Sequence, residues 1–547
     1  MSVQNWEIRA RRAKDVLLNS VPKQWILPAH RLPPAHQKNV EDFPRKSGVL
    51  SDKEVSITEM SATALVAGMG AGLLSAEEVV IAFLKRAVLG HQLLNFATEF
   101  MVERAISRAN ELDEHFKRTG KLVGPLHGVP ISVKEHIEIK GRTCNAGFVA
   151  WVDDIASEDA LLVQYLERAG AVFHVRTNQP QSLMHLCCDN NLTGPTRNPH
   201  NRTLTPGGSS GGEGASMGFK CAALGVGTDI GGSIRAPAGF CGAYGFRPTA
   251  LRMPATGIKV PGSGQESIHG TAGPLASQRV EDLNLFQRAV IDQEPWETET
   301  SLVPLPWRRV KATKNMTVGI MWDDGCVRPH PPVTRALHHA KEMLLAAGLK
   351  VVDWEPYHHD HGWEIISSLY FPDAANSQRT VLSQSGEPLL PLTEWAFAYS
   401  RASPLSIPEN WTLNCKRDAY RDAYHALMKS RGVDFILCPV YVGAAAVMGE
   451  AQYWNYTAIW NILDYPGVVF PSGLVVDPEL DPVDGGYRPR SEVDAREWAK
   501  YRPERYEGAP IGLQLVGKRF KDEETLAAAG LISDIVQGKV EDIKCRL

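Results

Sequence analysis

Hydrophobic positions change their spacing along this chain, and the changes mark out its elements. After Ser75 the stretch SAEEVVIAFLKRAV places apolar residues at helical spacing behind a capping box, with Glu78 three residues after the serine. A helix is predicted there. The apolar segment around Val129 to Ile137 lacks that period and predicts a buried strand. Helix and strand then alternate: helix DALLVQYLERAG, strand AVFHVRTN, small-residue helix GEGASMGFK, strand AALGVGTD. This alternation argues an α/β fold.

The same reading continues to the C-terminal end. EPWETETSLVPLPWRRVKATKN, Glu294 to Asn315, reads as a connection, followed by strand TVGIMW and helix VTRALHHAKEMLLAAG. A helix through KRDAYRDAYHALMKS leads into the apolar DFILCPV, and a polar, proline-rich excursion at 476–509 precedes IGLQLVG. Residues 1–55 are rich in proline and mixed charge and read as an arm wrapped on the surface, with helical patterning beginning at Ser56. No internal repeat and no clear linker divides the remainder, so 56–547 is expected to be one large domain with surface insertions.

Composition narrows the function. The 547 residues are 44% hydrophobic and 22% charged, as in ordinary globular proteins. With 58 Lys+Arg against 62 Asp+Glu, the net charge of -4 leaves no basic excess for nucleic acid or an anionic membrane. A small, weakly charged substrate fits better. The nine cysteines show no C-x-x-C spacing, which suggests neither a disulfide framework nor a zinc site and points to a reducing compartment. No secretory leader is read at the start, and no apolar run approaches the ~18 residues of a membrane span, so a cytoplasmic location is expected. The final Cys545-Arg546-Leu547 loosely resembles a peroxisomal address.

Candidate chemistry centres on two glycine-serine segments. In GTDIGGSIRAPAGFCG, Gly227 to Gly242, Ser233 follows paired glycines, whose freedom lets consecutive amides converge on one atom beside a nucleophile. Taken alone, GGS reads as a glycine-rich turn with a capping serine, and the rest of the sequence has to overturn that reading. Upstream, TPGGSSGGEGA, Thr205 to Ala215, carries Ser209 and Ser210 between glycines. It satisfies G-x-S-x-G, yet the preceding NPHNRTLTPGG is polar and turn-like where a nucleophile elbow needs an apolar strand. In LHGVPISVKEHI, Ile131, Val133 and Ile137 would bury the stem of Lys134, and desolvation lowers a lysine's pKa from ~10.4 towards that of a usable base. Two other clusters carry less. His358, His359, Asp360 and His361 lack metal-ligand spacing and read as a solvated loop, while GMGAGLL at Gly68 to Leu74 follows no apolar strand as a dinucleotide site would.

Together GGSSGGEGA, GTDIGGSIRAPAGFCG, PLHGVPISVKE and RTNQP closely resemble the amidase signature family, with similarity from about Ser56 to the GAPIGLQLVG near the C-terminus and a signature core at about 125–250. The likeness is greatest to fungal acetamidases and general amidases, with fatty amide hydrolase a more distant relative. The resemblance implies a large mixed central sheet covered by helices on both faces. It also implies a cofactor-free, metal-free serine amidase acting on a small-molecule amide, with a homodimer possible. Its triad maps onto Lys134 as base, Ser209 as proton bridge and Ser233 as acylated nucleophile. Gly208 precedes Ser209 at a bond that is cis in the family, where glycine obstructs least. The amides of Ile230, Gly231, Gly232 and Ser233 are implied to hold the oxyanion. Ser210, Thr228 and Arg235 brace the triad, Asp229 has a structural place, and Leu183 lines the substrate site. The residues that size the pocket are expected around Trp454 to Tyr465. Two other activities share these motifs: an ester or N-acyl-amine hydrolase, and a subunit of the tRNA-dependent amidotransferase.

Overall fold

The computed structural model describes residues 6–539. The apolar runs assemble into one eleven-stranded sheet. In chain order its strands are β1 (Ala97–Phe100), β2 (Pro130–Lys134), β3 (Val172–Thr177), β4 (Leu224–Asp229), β5 (Tyr244–Arg247), β6 (Thr271–Ala276), β7 (Thr317–Ile320), β8 (Lys350–Asp353), β9 (Phe435–Pro439), β10 (Gly467–Val475) and β11 (Pro510–Val516). They lie in the order β1-β3-β2-β4-β6-β5-β10-β11-β9-β7-β8. The sheet is mixed: β2 runs parallel to β3 and β4, and β7 to β8 and β9, while β5, β6, β10 and β11 make antiparallel pairs. Every residue of β2, β3, β5, β6, β9 and β11 is buried. Because successive side chains point to opposite faces, such strands need cover on both. The class is α/β, as the alternation of patterns predicts.

The parallel trio β3-β2-β4 positions the chemistry. Val133 lies opposite Val226 in the β2–β4 ladder, so Lys134 ends β2 beside the end of β4, where the chain leaves for the turn before the helix Arg235–Phe240. Carboxyl ends of parallel strands are where open α/β sheets bind ligands. The helix Gly211–Gly218, all of it buried, brings Ser209 and Ser210 to the same edge from the other glycine segment.

One boundary differs from the sequence reading. Helices Trp6–Ser20, Phe43–Ser47 and Asp52–Thr58 begin well before Ser56. The first was hidden because only Ala10 and Leu17 of its fifteen residues are buried, too thin an apolar stripe to show against WEIRARRAKD. It is anchored by Arg9 to the Ala150 carbonyl (2.8 Å) and by Arg12 to Asp153 (2.9 Å). Cys545-Arg546-Leu547 lies outside the described residues. No described helix is long and apolar enough to cross a membrane.

Candidate active site

Lys134 is the centre of the polar cluster at the edge of β2. Its side chain is wholly buried, and its ammonium nitrogen lies 2.7 Å from Ser209 Oγ and 3.1 Å from Thr228 Oγ1. Burial pulls its pKa down to about 7, against the nearby acidic groups, Asp229 and Glu213 among them, that favour the charged form. Glu213 is itself driven up to about 8 by burial, although Ser132 and Thr177 donate to it at 2.6 and 2.7 Å.

The Gly208–Ser209 peptide is cis. Gly208 is required by close approach: a Cβ there would sit 2.5 Å from the His185 carbonyl oxygen and 2.7 Å from the Cys187 nitrogen. Ser210 links the two glycine segments, its N–H donating to the Ser233 carbonyl at 3.1 Å and its Oγ accepting from the Thr228 N–H at 3.3 Å.

Asp229 shapes the turn that carries Ser233. Its carboxylate accepts from the N–H groups of Gly232 (2.8 Å) and Ile234 (3.1 Å), from Arg235 Nε and Nη2 (3.0 Å each) and from Asn461 Nδ2 (2.9 Å). Burial pushes the Asp229 carboxyl up, but Arg235 and Asn461 more than offset it and hold it below the usual carboxylate range. The turn is pinned from outside as well: Tyr370 donates to the Ile230 carbonyl at 2.9 Å and Thr457 to the Gly231 carbonyl at 2.7 Å. Gly232 has φ +124°, and a Cβ there would lie 2.2 Å from Thr457 Oγ1, so only glycine fits. The Gly232 N–H is taken by Asp229, which corrects the expected set of four converging amides. Among the described hydrogen bonds the N–H groups of Ile230, Gly231 and Ser233 have no protein partner.

Ser209 and Ser233 open onto one cavity of about 580 Å³. Leu183 lines it, together with Met184, Leu251, Met253, Ile258, Val260, Ile268 and Leu302. Ser182 and Leu183 are both left-handed (φ +67° and +62°), a conformation that surrounding packing must hold in place. The Ser182 hydroxyl is buried at the wall without a protein partner. No lysine or arginine lines the cavity among the described residues, whereas Glu299 and Asp373 do.

The stretch Trp454 to Tyr465 does not line this cavity, contrary to expectation. Its helix, Asn455–Ile462, is buried behind the turn and supplies Thr457 and Asn461 as braces. The wall comes instead from segment 251–272 and from residues around Tyr370 to Gln378. Sequence reading also missed His136, Tyr370, Thr457 and Asn461, which carry no glycine or motif signal of their own. The His358 cluster is solvated as expected at His358, Asp360 and His361, but it opens a helix, His359–Tyr370, instead of a loop, and His359 is buried and hydrogen-bonds the Tyr424 hydroxyl at 3.1 Å. No group of three potential metal ligands occurs among the described residues. Gly68–Gly70 end the helix Ala62–Gly70, with no strand ahead of them.

Comparison with known proteins agrees along nearly the whole chain. A Schizosaccharomyces pombe relative is 48% identical over 492 residues, covering 90% of this chain and 92% of its own. An Emericella nidulans acetamidase is 38% identical over 543 residues, covering 96% and 97% of the two chains. The solved structure of a fatty acid amide hydrolase superposes with a TM-score of 0.95 at 41% identity, covering 97% of this chain and 95% of that one. By identity it stands as near as the acetamidase. Residues 78–526 match the Amidase family, and the chain belongs to that family.

Proposed function

We propose that this protein is a serine amidase that hydrolyses an uncharged carboxylic acid amide to carboxylate and ammonia through an acyl-Ser233 intermediate. The observation that carries the reading is the buried Lys134, with its lowered pKa, hydrogen-bonded to Ser209 at the wall of a cavity that also holds Ser233. Neutral Lys134 takes the Ser209 proton, and Ser209 takes that of Ser233 as its Oγ attacks the amide carbon. The oxyanion that forms is held by the amides of Ile230, Gly231 and Ser233, where losing one donor typically costs ~100- to 1000-fold in turnover. Gly232 contributes the turn's shape. The proton then returns through Ser209 to the leaving nitrogen, the C–N bond breaks, and water repeats the sequence on the acyl-serine.

Ser233→Ala should abolish ammonia release while leaving the fold intact, and a fluorophosphonate should label Ser233 in the wild type. Labelling that persists in the variant and maps to Ser210 would refute the assignment.

A second substrate reading, an N-acyl amine in place of a primary amide, is favoured by the cavity. At about 580 Å³, with aliphatic side chains interspersed among polar ones, it lies within the ~300 to 1,000 Å³ typical of drug-sized ligands and far exceeds an acetyl group. Matched primary amides, N-alkyl amides and esters of increasing acyl length separate the two. The amidotransferase reading finds less support. Glutamine is a zwitterion: Glu299 and Asp373 suit its α-ammonium, but no lysine or arginine among the described residues lines the cavity to hold its α-carboxylate.

A further inference from the structure

We propose that His136 is a positioning residue for the base: its ring accepts a hydrogen bond from the Thr228 hydroxyl, so that the Lys134 lone pair is left to Ser209, and it joins this arrangement to the cavity wall. The inference rests on the reading of Lys134 as base. His136 follows the end of β2 and is buried. Its Nδ1 lies 2.9 Å from the Lys259 carbonyl oxygen and its Nε2 lies 3.0 Å from Thr228 Oγ1. A carbonyl only accepts, so Nδ1 carries the proton, and the Nε2 of a neutral ring then only accepts. Thr228 must therefore donate to His136. Its oxygen presents only lone pairs to Lys134 Nζ, 3.1 Å away. One N–H of the neutral amine is directed to Thr228, and the lone pair is free for the Ser209 hydroxyl at 2.7 Å.

The ring stays neutral in this role. Burial, the charge of Lys134 and that of Arg176 hold His136 well below the ordinary histidine range, opposed by the Lys259 carbonyl. The adjacent Glu135 carboxylate is engaged by the Asn145 and Ala146 amides and by Gln179. The Lys259 ammonium is paired with Asp154.

The other side of the ring belongs to the cavity wall. The Lys259 N–H donates to the His136 carbonyl at 2.9 Å, Glu138 N–H donates to the Gly257 carbonyl at 2.9 Å, and Ile137 forms an antiparallel bridge with Ile258. The same segment gives Ile258, Val260 and Ile268 to the cavity. One side chain thus connects the surface that receives substrate to the hydroxyl that orients the base.

Two substitutions divide the ring's functions. His136→Asn places an amide nitrogen where Nδ1 stands and keeps the bond to Lys259; His136→Gln places an amide oxygen where Nε2 stands and keeps an acceptor for Thr228. The assay is kcat, KM and the pH profile of kcat on a neutral amide, normalised to folded enzyme by fluorophosphonate titration of Ser233. His136→Asn should lower kcat roughly 2- to 13-fold, the worth of one hydrogen bond, with KM nearly unchanged. Its acid limb should move down, because the released Thr228 hydroxyl donates to the Lys134 lone pair and favours the neutral amine. His136→Gln should restore most of kcat and return the limb. In a Thr228→Val background, His136→Asn should add no further shift of the limb. Equal losses for Asn and Gln with the wild-type limb unmoved, or a limb shift that persists without the Thr228 hydroxyl, overturns the proposal. Failure of the underlying mechanism reads differently: the wild type would then lack an acid limb dependent on Lys134.

Discussion

In the proposed mechanism only neutral Lys134 can accept the Ser209 proton, so lowering the pH is a direct perturbation of the base. With a pKa of about 7, the neutral fraction is about nine-tenths at pH 8 and about one in a hundred at pH 5. kcat/KM on a non-titrating amide should therefore fall about 90-fold between these values, along a limb of unit slope, and level off above about pH 8. A lysine at its ordinary ~10.4 would instead give a rate still climbing at pH 9. The cause is burial, so raising ionic strength should leave the limb in place. Steady-state ammonia release across pH 5 to 9 is the assay, with Lys134→Met as control. The control should be severely impaired, and its residual rate should lack the limb. A wild-type plateau reaching down to about pH 5, or a limb retained by the methionine variant, would refute the assignment.

The same shift has a stability signature of known sign. Below the folded pKa of about 7 the lysine is charged in both states, and folding bears the full cost of burying that charge. Above ~10.4 it is neutral in both, and the cost vanishes. Unfolding stability should therefore fall as pH drops from about 10 to 7 by an amount on the order of 4 kcal/mol from this group. Lys134→Met should remove that dependence and be more stable than the wild type near pH 6, measurable by denaturant melts at both pH values.

Three further outcomes are expected. Lys134→Ala should retain relatively more esterase than amidase activity, because an amine needs protonation to leave far more than a good alkoxide does; equal loss on both substrates would restrict Lys134 to activating Ser233. Exhaustive dialysis against chelator should leave activity unchanged, and activity lost and then restored by zinc would overturn the mechanism. Asp229→Asn should destabilise the fold by about 3 to 5 kcal/mol in chemical denaturation, because it leaves the wholly buried Arg235 without its carboxylate; a cost under 1 kcal/mol would mean that Asn461, Gln514 and the Thr457 carbonyl suffice to hold the guanidinium.

The strands were legible where burial on both faces leaves a mainly apolar run without a helical period, with the few polar groups in it, such as His174, hydrogen-bonded. PISVK, VFHVRT and FILCP show this directly as runs without a helical period, bounded by turn residues. The order of the sheet was not legible in this way. β10 and β11 come late in the chain yet lie between β5 and β9, a placement set by packing that leaves no periodic trace. The opposite failure occurred at Trp6–Ser20, where the helix is held largely by arginine contacts to another segment and buries little of itself.

The site divides along a related line. Glycines announce themselves where backbone approaches backbone, as Gly208 does against His185 and Cys187, and so the two serine segments stood out. The groups that hold those segments in place arrive from far along the chain: Tyr370 is 140 positions from Ile230, Thr457 is 226 from Gly231, and Asn461 is 232 from Asp229. Each is an ordinary helical residue in its own neighbourhood, with no local conflict to betray a second role. His136 is the intermediate case. It lies inside the segment already singled out for Lys134, but its acceptor nitrogen has meaning only once β4 delivers Thr228 on one side and the cavity wall delivers the Lys259 carbonyl on the other. Sequence therefore exposes the groups that react, which need unusual backbone, and conceals those that aim them, which need only to be in the right place.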